Sequence, residues 1–262
     1  MAKVCPLYSS SKGNATFVGN GDTGILIDAG VSCKRLVYGL NQAGLTPQSV
    51  KGIFITHDHS DHILGLKVFT SRYNIPIYAQ SKTLEELFRK DAIGTSKVYE
   101  ITNETIVCEN TDIEITAFDT PHDTVQSCGY RVHTYDDINI SVCTDLGFVT
   151  PTVERAVMGS DVVLLESNYD LDMLKNGVYP YSLKQRILSN NGHLCNTDSA
   201  SFINRLIKNG TTRVILGHLS VENNTPTVAE NTTLRALGEF KRNRDYILEV
   251  APQESNGLVV TL

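Results

Sequence analysis

The sequence predicts an α/β fold in which two mixed β-sheets pack face to face with helices outside. Two observations carry that expectation. The first and last thirds alternate strand-like and helix-like stretches, and the centre switches to a period of two. No low-complexity linker or short-period repeat interrupts residues 1–262, so one domain is expected.

Ala15-Thr16-Phe17-Val18 and Gly24-Ile25-Leu26-Ile27 read as strands joined by the Gly19-Asn20-Gly21-Asp22 turn. Ser32 caps a helix to about Leu40, with Leu36, Val37 and Leu40 on one face. Gly52-Ile53-Phe54-Ile55 is an apolar strand, and Asp61 to about Tyr73 a helix. Ile77-Tyr78-Ala79 is a strand, and Thr83 to about Lys90 a helix. Val98–Ile101, Ile113–Thr116, Gly129–Val132 and Ile138–Val142 form an antiparallel meander. Asp161–Leu165 is a buried strand, followed by a helix over about Thr197–Asn209 and a strand at Arg213–Leu216. A helix over about Val228–Arg242 and a strand at Tyr246–Val250 end the order.

Of 262 residues, 41% are hydrophobic and 20% charged, which excludes disordered and fibrous classes. The 23 Lys and Arg against 29 Asp and Glu leave a formal charge of -6, arguing against an indiscriminate grip on phosphate backbones. Metal ions in a site would supply the missing positive charge locally. Met1-Ala2-Lys3-Val4 leads into no apolar stretch, and no run approaches the roughly 18 residues of a spanning helix. The expectation is a cytoplasmic protein without membrane association. Cys5, Cys33, Cys108, Cys128, Cys143 and Cys195 are scattered and read as reduced, buried thiols.

Three of the seven histidines fall in Thr56-His57-Asp58-His59-Ser60-Asp61-His62, where a buried strand ends and a helix begins. Alternate residues at a strand end point into one cleft, and the helix start turns Asp61 and His62 toward a second point nearby. Imidazole and carboxylate at this density suit zinc, manganese, iron or cobalt.

This H-x-H-x-D-H run, with Asp28 in Leu26-Ile27-Asp28-Ala29-Gly30, resembles the metallo-β-lactamase superfamily. Matches follow in order at His122 in Thr120-Pro121-His122-Asp123, Asp145 in Cys143-Thr144-Asp145-Leu146-Gly147, and His218 in Leu216-Gly217-His218-Leu219-Ser220. The resemblance implies the αββα sandwich of that family and two divalent ions, zinc or manganese, with iron a further candidate. Carried over, His57, His59 and His122 would hold one ion, and Asp61, His62 and His218 the other. Asp145 would bridge them, and Asp28 would orient the loop behind the ligands. His133 matches no motif and reads as a strand-face histidine.

Within the superfamily, His59 stands where flavodiiron proteins usually carry Glu. His62 stands where the exported zinc β-lactamases usually lack a histidine. The single helix and strand after His218 leave no room for the helical domain of glyoxalase II. Glu166 in Leu164-Leu165-Glu166-Ser167-Asn168 and His193 in Asn191-Gly192-His193-Leu194-Cys195 are similar to elements of the tRNA 3′-processing nucleases and related phosphodiesterases. The resemblance implies Asp61, Glu166 and His193 as catalytic groups. A metal-bridging hydroxide would attack phosphorus, and His193, held by Glu166, would protonate the leaving 3′-oxygen.

No insertion of β-CASP size lies between Asp145 and His218. Ser9-Ser10-Ser11-Lys12-Gly13-Asn14-Ala15-Thr16, the Gly-His-Leu at His193, and Gly217–Ser220 with Glu222-Asn223-Asn224 resemble the small bacterial WalJ (YycJ) group. Cys195 stands where Ser is expected. That resemblance implies a 5′→3′ exonuclease on double-stranded DNA ends with a role in DNA repair. Ser9, Ser10 and Asn14 are candidate contacts to a terminal phosphate. Arg235, Lys241, Arg242 and Arg244 read first as a solvated helix end. A phosphodiesterase for small cyclic phosphates or dinucleotides, and a non-catalytic DNA-end-binding protein, are the competing expectations.

Overall fold

The computed structural model describes residues 1–262. Its first strand, β1 (Ala2–Ser10), is not among those expected, because every residue except Lys3 is buried and no alternation marks it. β2 (Gly13–Asn20) and β3 (Thr23–Ile27) are the expected hairpin, paired Asn20 to Thr23, with Gly21 in the turn at a φ of 58°. β4 (Val50–Phe54), β5 (Ile77–Gln80) and β6 (Val98–Ile101) continue the sheet in parallel from β3.

The second sheet repeats this plan. β7 (Ile106–Val107), β8 (Glu114–Asp119), β9 (Cys128–His133) and β10 (Asn139–Cys143) are antiparallel. β11 (Val162–Glu166), β12 (Arg213–Gly217) and β13 (Ile247–Val250) run parallel to β10. β14 (Val260–Thr261) pairs antiparallel with β1, and each sheet has seven strands.

Val18, Ile25, Phe54 and Tyr78 of the first sheet meet Tyr130, Val132, Val142 and Leu164 of the second in one apolar layer. Phe54 stacks on Tyr78 with ring centroids 4.5 Å apart, and Tyr130 meets Phe54 edge-on at 5.7 Å. α1 (Cys33–Gln42), α2 (Ser60–Ile63), α3 (Leu66–Tyr73) and α4 (Ser81–Arg89) follow within the first half, packing Leu36, Leu66, Phe69 and Leu87 against Phe17, Leu26 and Ile53. α5 (Pro151–Val157), α6 (Leu171–Asn176), α7 (Tyr181–Leu188), α8 (Asn196–Lys208) and α9 (Pro226–Ala236) belong to the second half. There Val153, Phe202, Leu206 and Ala229 cover Val163, Leu165 and Val214. The layers are helices, sheet, sheet, helices, as the sequence predicts.

The helix starts obey local chemistry. Thr150 and Thr225 each accept the backbone N–H three residues on, at 3.2 Å, and each is followed by Pro at the first helical position. The single helix expected over Asp61–Tyr73 is two, α2 and α3, divided at Gly65. A side chain on Gly65 would meet the Val31 carbonyl at 2.0 Å, and its N–H donates to Ala29 O at 2.8 Å. The break therefore docks the chain against the Asp28–Val31 loop. α9 stops at Ala236, short of the expected end, just before Gly238. α5, α6 and α7 are short and carry few buried apolar residues, so no helical stripe announces them. No helix is long and apolar enough to cross a membrane. All six cysteines are free and buried, and burial pushes the Cys5 and Cys128 thiols up to about 12.

Candidate metal centre

The chemistry-bearing side chains follow the C-terminal ends of parallel strands. Asp28 comes off β3, Thr56 and His57 off β4, and Asp145 off β10. Glu166 ends β11, and His218 follows β12. These ends form the edge at which open α/β sheets build their sites. His122 lies between the antiparallel β8 and β9, and His193 between α7 and α8.

His57, His59 and His122 present ligand atoms within 4.8 Å of one another; so do Asp61, His62 and His218, and so do His57, His62 and Asp145. Asp145 lies between the groups. Its Oδ1 is 3.5 Å from His122 Nε2 and 3.6 Å from His218 Nε2, and its Oδ2 is 3.2 Å from His62 Nε2. His57, His62, Asp145 and His218 are buried, whereas His59, Asp61 and His193 are partly exposed and form the open wall. Every metal-ligand position expected from the sequence is in this cluster. His133 is outside it, on β9 beside Asp137.

Four of the imidazoles have Nδ1 engaged and Nε2 turned toward the cluster. The Asp28 carboxylate accepts from Thr56 N–H and Oγ1–H, both at 2.9 Å, and from His62 Nδ1 at 2.7 Å. With its hydroxyl proton given to Asp28, Thr56 Oγ1 accepts from His57 Nδ1 at 3.0 Å. His122 Nδ1 donates to Gly192 O at 3.0 Å, and His218 Nδ1 to Glu166 Oε1 at 2.7 Å. These partners hold a proton on Nδ1 of His57, His62, His122 and His218 and so make Nε2 the nitrogen available to a metal.

Glu166 does more than its sequence context indicates. Fully buried, it accepts from His193 Nδ1 at 2.8 Å and His218 Nδ1 at 2.7 Å on one oxygen. The other oxygen takes Leu146 N–H at 2.8 Å and Leu194 N–H at 2.9 Å. Burial alone would raise its carboxyl, but His193 and His218 hold it down at about 2. Glu166 thus orients both the expected acid, His193, and a candidate ligand, His218.

Asp28, Asp145 and His218 occupy the left-handed region, with φ of 62°, 54° and 53°. For His218 that conformation is uncommon, and it is secured from both sides. Its N–H donates to Ser9 Oγ at 2.8 Å, and its carbonyl accepts from Asn168 Nδ2 at 2.8 Å. Asn14 and Ser10, also expected at the site, are buried there. Asn14 Nδ2 is 3.3 Å from Asp61 Oδ2 and 3.0 Å from His62 Nε2, while Ser10 Oγ accepts from Lys12 N–H at 3.2 Å. Gly30 lets these loops close together, since a Cβ on it would fall 1.6 Å from the Asp61 carbonyl.

The residues present fit a divalent cation. His57 Nε2, His218 Nε2 and Asp145 Oδ2 are buried and lack any hydrogen-bond partner, and each residue belongs to at least one of the donor groups. A bare buried polar atom costs about 1–3 kcal/mol, and bound divalent cations would satisfy these atoms.

Residues 23–219 match the family model of the beta-lactamase superfamily domain. The chain belongs to the metallo-β-lactamase superfamily. It is a metal-dependent hydrolase of that superfamily, and the family and the His/Asp cluster together point to divalent-metal binding. It is 35% identical to exodeoxyribonuclease YycJ of Bacillus anthracis over 236 residues, which cover 89% of this chain and 88% of that one. It is also 35% identical to exodeoxyribonuclease WalJ of Streptococcus pneumoniae over 241 residues, 90% of this chain and 88% of the relative. The metallo-β-lactamase fold protein YhfI from Bacillus subtilis superposes with a TM-score of 0.72 at 16% identity, covering 99% of this chain and 98% of that one. Zn(2+)-bound PqqB from Methylobacterium extorquens superposes at 0.73 and 17% identity, covering 99% and 100%. At those identities the structures share the fold.

Thr56 and Asn168 are site-building residues that the motif reading passes over, although both adjoin quoted motif positions. In this member of the superfamily Asp58 is a third. Its carboxylate accepts from Lys90 and Thr124, and its carbonyl accepts from Lys90 Nζ at 2.8 Å. Burial would raise the Asp58 carboxyl, yet those two partners keep it below the usual range. The pairings tie the histidine-rich loop to α4 and to the loop of His122.

Proposed function

We propose that this chain is a two-ion phosphodiesterase that digests double-stranded DNA from a 5′ end. The single observation that carries the reading is the Glu166–His193 pair beside the His/Asp cluster, with His193 Nδ1 on the carboxylate and its ring on the open wall. Relatives named exodeoxyribonuclease, 35% identical over about nine-tenths of the chain, support DNA as the substrate. That substrate goes with a single-domain cytoplasmic enzyme and a role in DNA repair.

His57, His59 and His122 would hold one ion, Asp61, His62 and His218 the other, and Asp145 would serve both. Zinc and manganese both suit this mixed donor set, with iron as a further candidate. Bound divalent ions would neutralise phosphodiester oxygens and make water acidic enough to attack at neutral pH. His193 delivers a proton from Nε2 to the departing 3′-oxygen, while Glu166 holds the opposite ring nitrogen and so fixes the direction of that N–H. Asp28, through Thr56 and His62, keeps the ligand nitrogens aimed inward. Products are a 5′-phosphate and a 3′-hydroxyl.

The two ion sites differ in proton content. Burial pushes His57, His59 and His122 down, so all three are neutral at pH 7 with lone pairs available. Burial would lower His62 and His218 as well, but Asp145, Asp28 and Asp61 hold His62 well above the usual imidazole range, and Asp145, Asp61 and Glu166 raise His218 to about 10, so both carry a proton there. Loading the His57 site should release no proton and show little pH dependence between pH 7 and 9. Loading the site of His62 and His218 should release a proton from each ring, about two in all, and its affinity should rise with pH until both rings deprotonate. Calorimetric titration of the metal-free protein with Zn²⁺ in two buffers of different ionisation enthalpy reads this directly. Two ions bound without proton release would contradict the assignment of His62 and His218 to the second ion.

The function itself is tested with a linear duplex labelled at its 5′-phosphates, in Mn²⁺ and in Zn²⁺, beside the same sequence as a closed circle. Loss of label from the linear form with the circle intact is expected. If neither DNA is cut while bis(p-nitrophenyl) phosphate is hydrolysed, the substrate is a small phosphodiester. DNA binding without turnover of either substrate would leave an end-binding protein.

A further inference from the structure

A nuclease must hold phosphates beyond the one it cuts, and this chain carries a net charge of -6. The basic group after α9 is badly placed for the task. Arg242 pairs with Glu230 at 2.7 Å and Arg244 with Asp245 at 2.8 Å. Both precede β13, at the opposite end of the parallel strands from the site.

Arg186 on α7 stands at the site itself. It forks Asp123 through Nε and Nη2, the latter at 3.0 Å. Asp123 directly follows His122, and its Oδ1 lies 3.4 Å from His122 Nε2. At its backbone, Arg186 adjoins Ile187, whose carbonyl accepts from His193 N–H at 3.1 Å. The arginine is therefore anchored both to the His122 loop and to the His193 loop. Its side chain nevertheless remains 49% exposed, and Nη1 donates to no group of the protein. Its charge also lies close enough to Asp61 and Asp145 to be favoured by both, after Asp123. A half-exposed ion pair contributes little to stability. A guanidinium braced on one edge and open on the other is, in contrast, already oriented for a phosphate.

We propose that Arg186, held in place by Asp123, grips a phosphate of the bound strand next to the one being hydrolysed. The inference rests on the nuclease reading, because a simple diester such as bis(p-nitrophenyl) phosphate has no second phosphate to offer.

The test compares wild type, Arg186→Ala, Arg186→Lys and a remote surface control, Arg244→Ala. Binding of a 5′-phosphorylated fluorescent duplex is followed by anisotropy against NaCl concentration, and kcat/KM is measured on that duplex and on bis(p-nitrophenyl) phosphate. Arg186→Ala should weaken duplex binding by roughly tenfold or more. It should also reduce the slope of log K against log salt by about one. Its loss in kcat/KM should be at least about tenfold larger on duplex than on the small ester. Arg186→Lys should recover the salt slope but only part of the affinity, since an ammonium lacks the fork. Arg244→Ala should behave as wild type. Unchanged duplex affinity and slope in Arg186→Ala, with wild type cutting duplex, would overturn the inference and leave the nuclease reading standing. Equal losses on both substrates would overturn it too, reducing Arg186 to a prop for His122. A wild type that hydrolyses the small ester but neither binds nor cuts duplex removes the nuclease reading and this inference together.

Discussion

Replacing His193 with alanine should lower kcat on DNA by about 10²–10⁴-fold, the range for loss of a positioned acid, while the metal content stays at the wild-type level. The asymmetry follows from where the ring sits. His193 is held through Nδ1 by Glu166 at 2.8 Å and is only partly buried, so its removal bares no large cavity. The Nε2 atoms of His57, His62, His122 and His218 keep their partners on the opposite ring nitrogens. Elemental analysis of the purified variant, with single-turnover kinetics on labelled duplex, separates the quantities. A variant that retains near-wild-type kcat would return His193 to a structural role. One that loses its metal would make it a ligand instead.

Glu166→Gln should be the more damaging change, and damaging in two currencies. A glutamine can offer one oxygen, yet four donors converge on this carboxylate: two imidazole Nδ1–H groups and the N–H groups of Leu146 and Leu194. Whichever way the amide turns, its NH₂ faces two donors in a fully buried place. His218 then loses the partner that fixes its tautomer, and metal affinity should fall about 10–100-fold. His193 loses its orientation as well, so kcat should fall even at saturating metal. In the double variant Glu166→Gln/His193→Ala the kcat losses should not multiply, because part of the Glu166 effect passes through His193. Wild-type metal affinity in Glu166→Gln would show that His218 keeps its tautomer without this carboxylate. Fully multiplicative kcat losses would separate Glu166 from His193.

Much of the fold is legible because its signals are local. The Gly19–Asp22 turn, the Ser32 cap and the two-residue period of the central strands each depend on a few neighbouring side chains. β1 escapes that reading because it lies inside a sheet between β14 and β2 and is covered on both faces. The split between α2 and α3 escapes it because the cause, Val31 against Gly65, lies outside the helix. The cluster of candidate ligands is legible for a related reason: H-x-H-x-D-H packs four donors into six residues, and Asp145, His122 and His218 stand in recognisable company. Ser9 shows the limit. It is expected at a phosphate, and in the structure its hydroxyl takes the N–H of His218, a residue 209 positions away.

What the sequence alone determined is the chemistry on offer: which donors exist, how they are spaced, and that they suit a divalent ion in an α/β sandwich. What only the tertiary structure decided is which nitrogen of each imidazole is left to bind. That choice is made by the partner on the other side of the ring, which for His57 is the neighbouring Thr56 and for the other three is remote. Asp28 is 34 residues from His62, Glu166 is 52 from His218, and Gly192 is 70 from His122. A neutral imidazole has one N–H and one lone pair, so the acceptor that captures the N–H assigns the lone pair. Only the packing of the two sheets brings those acceptors to the rings.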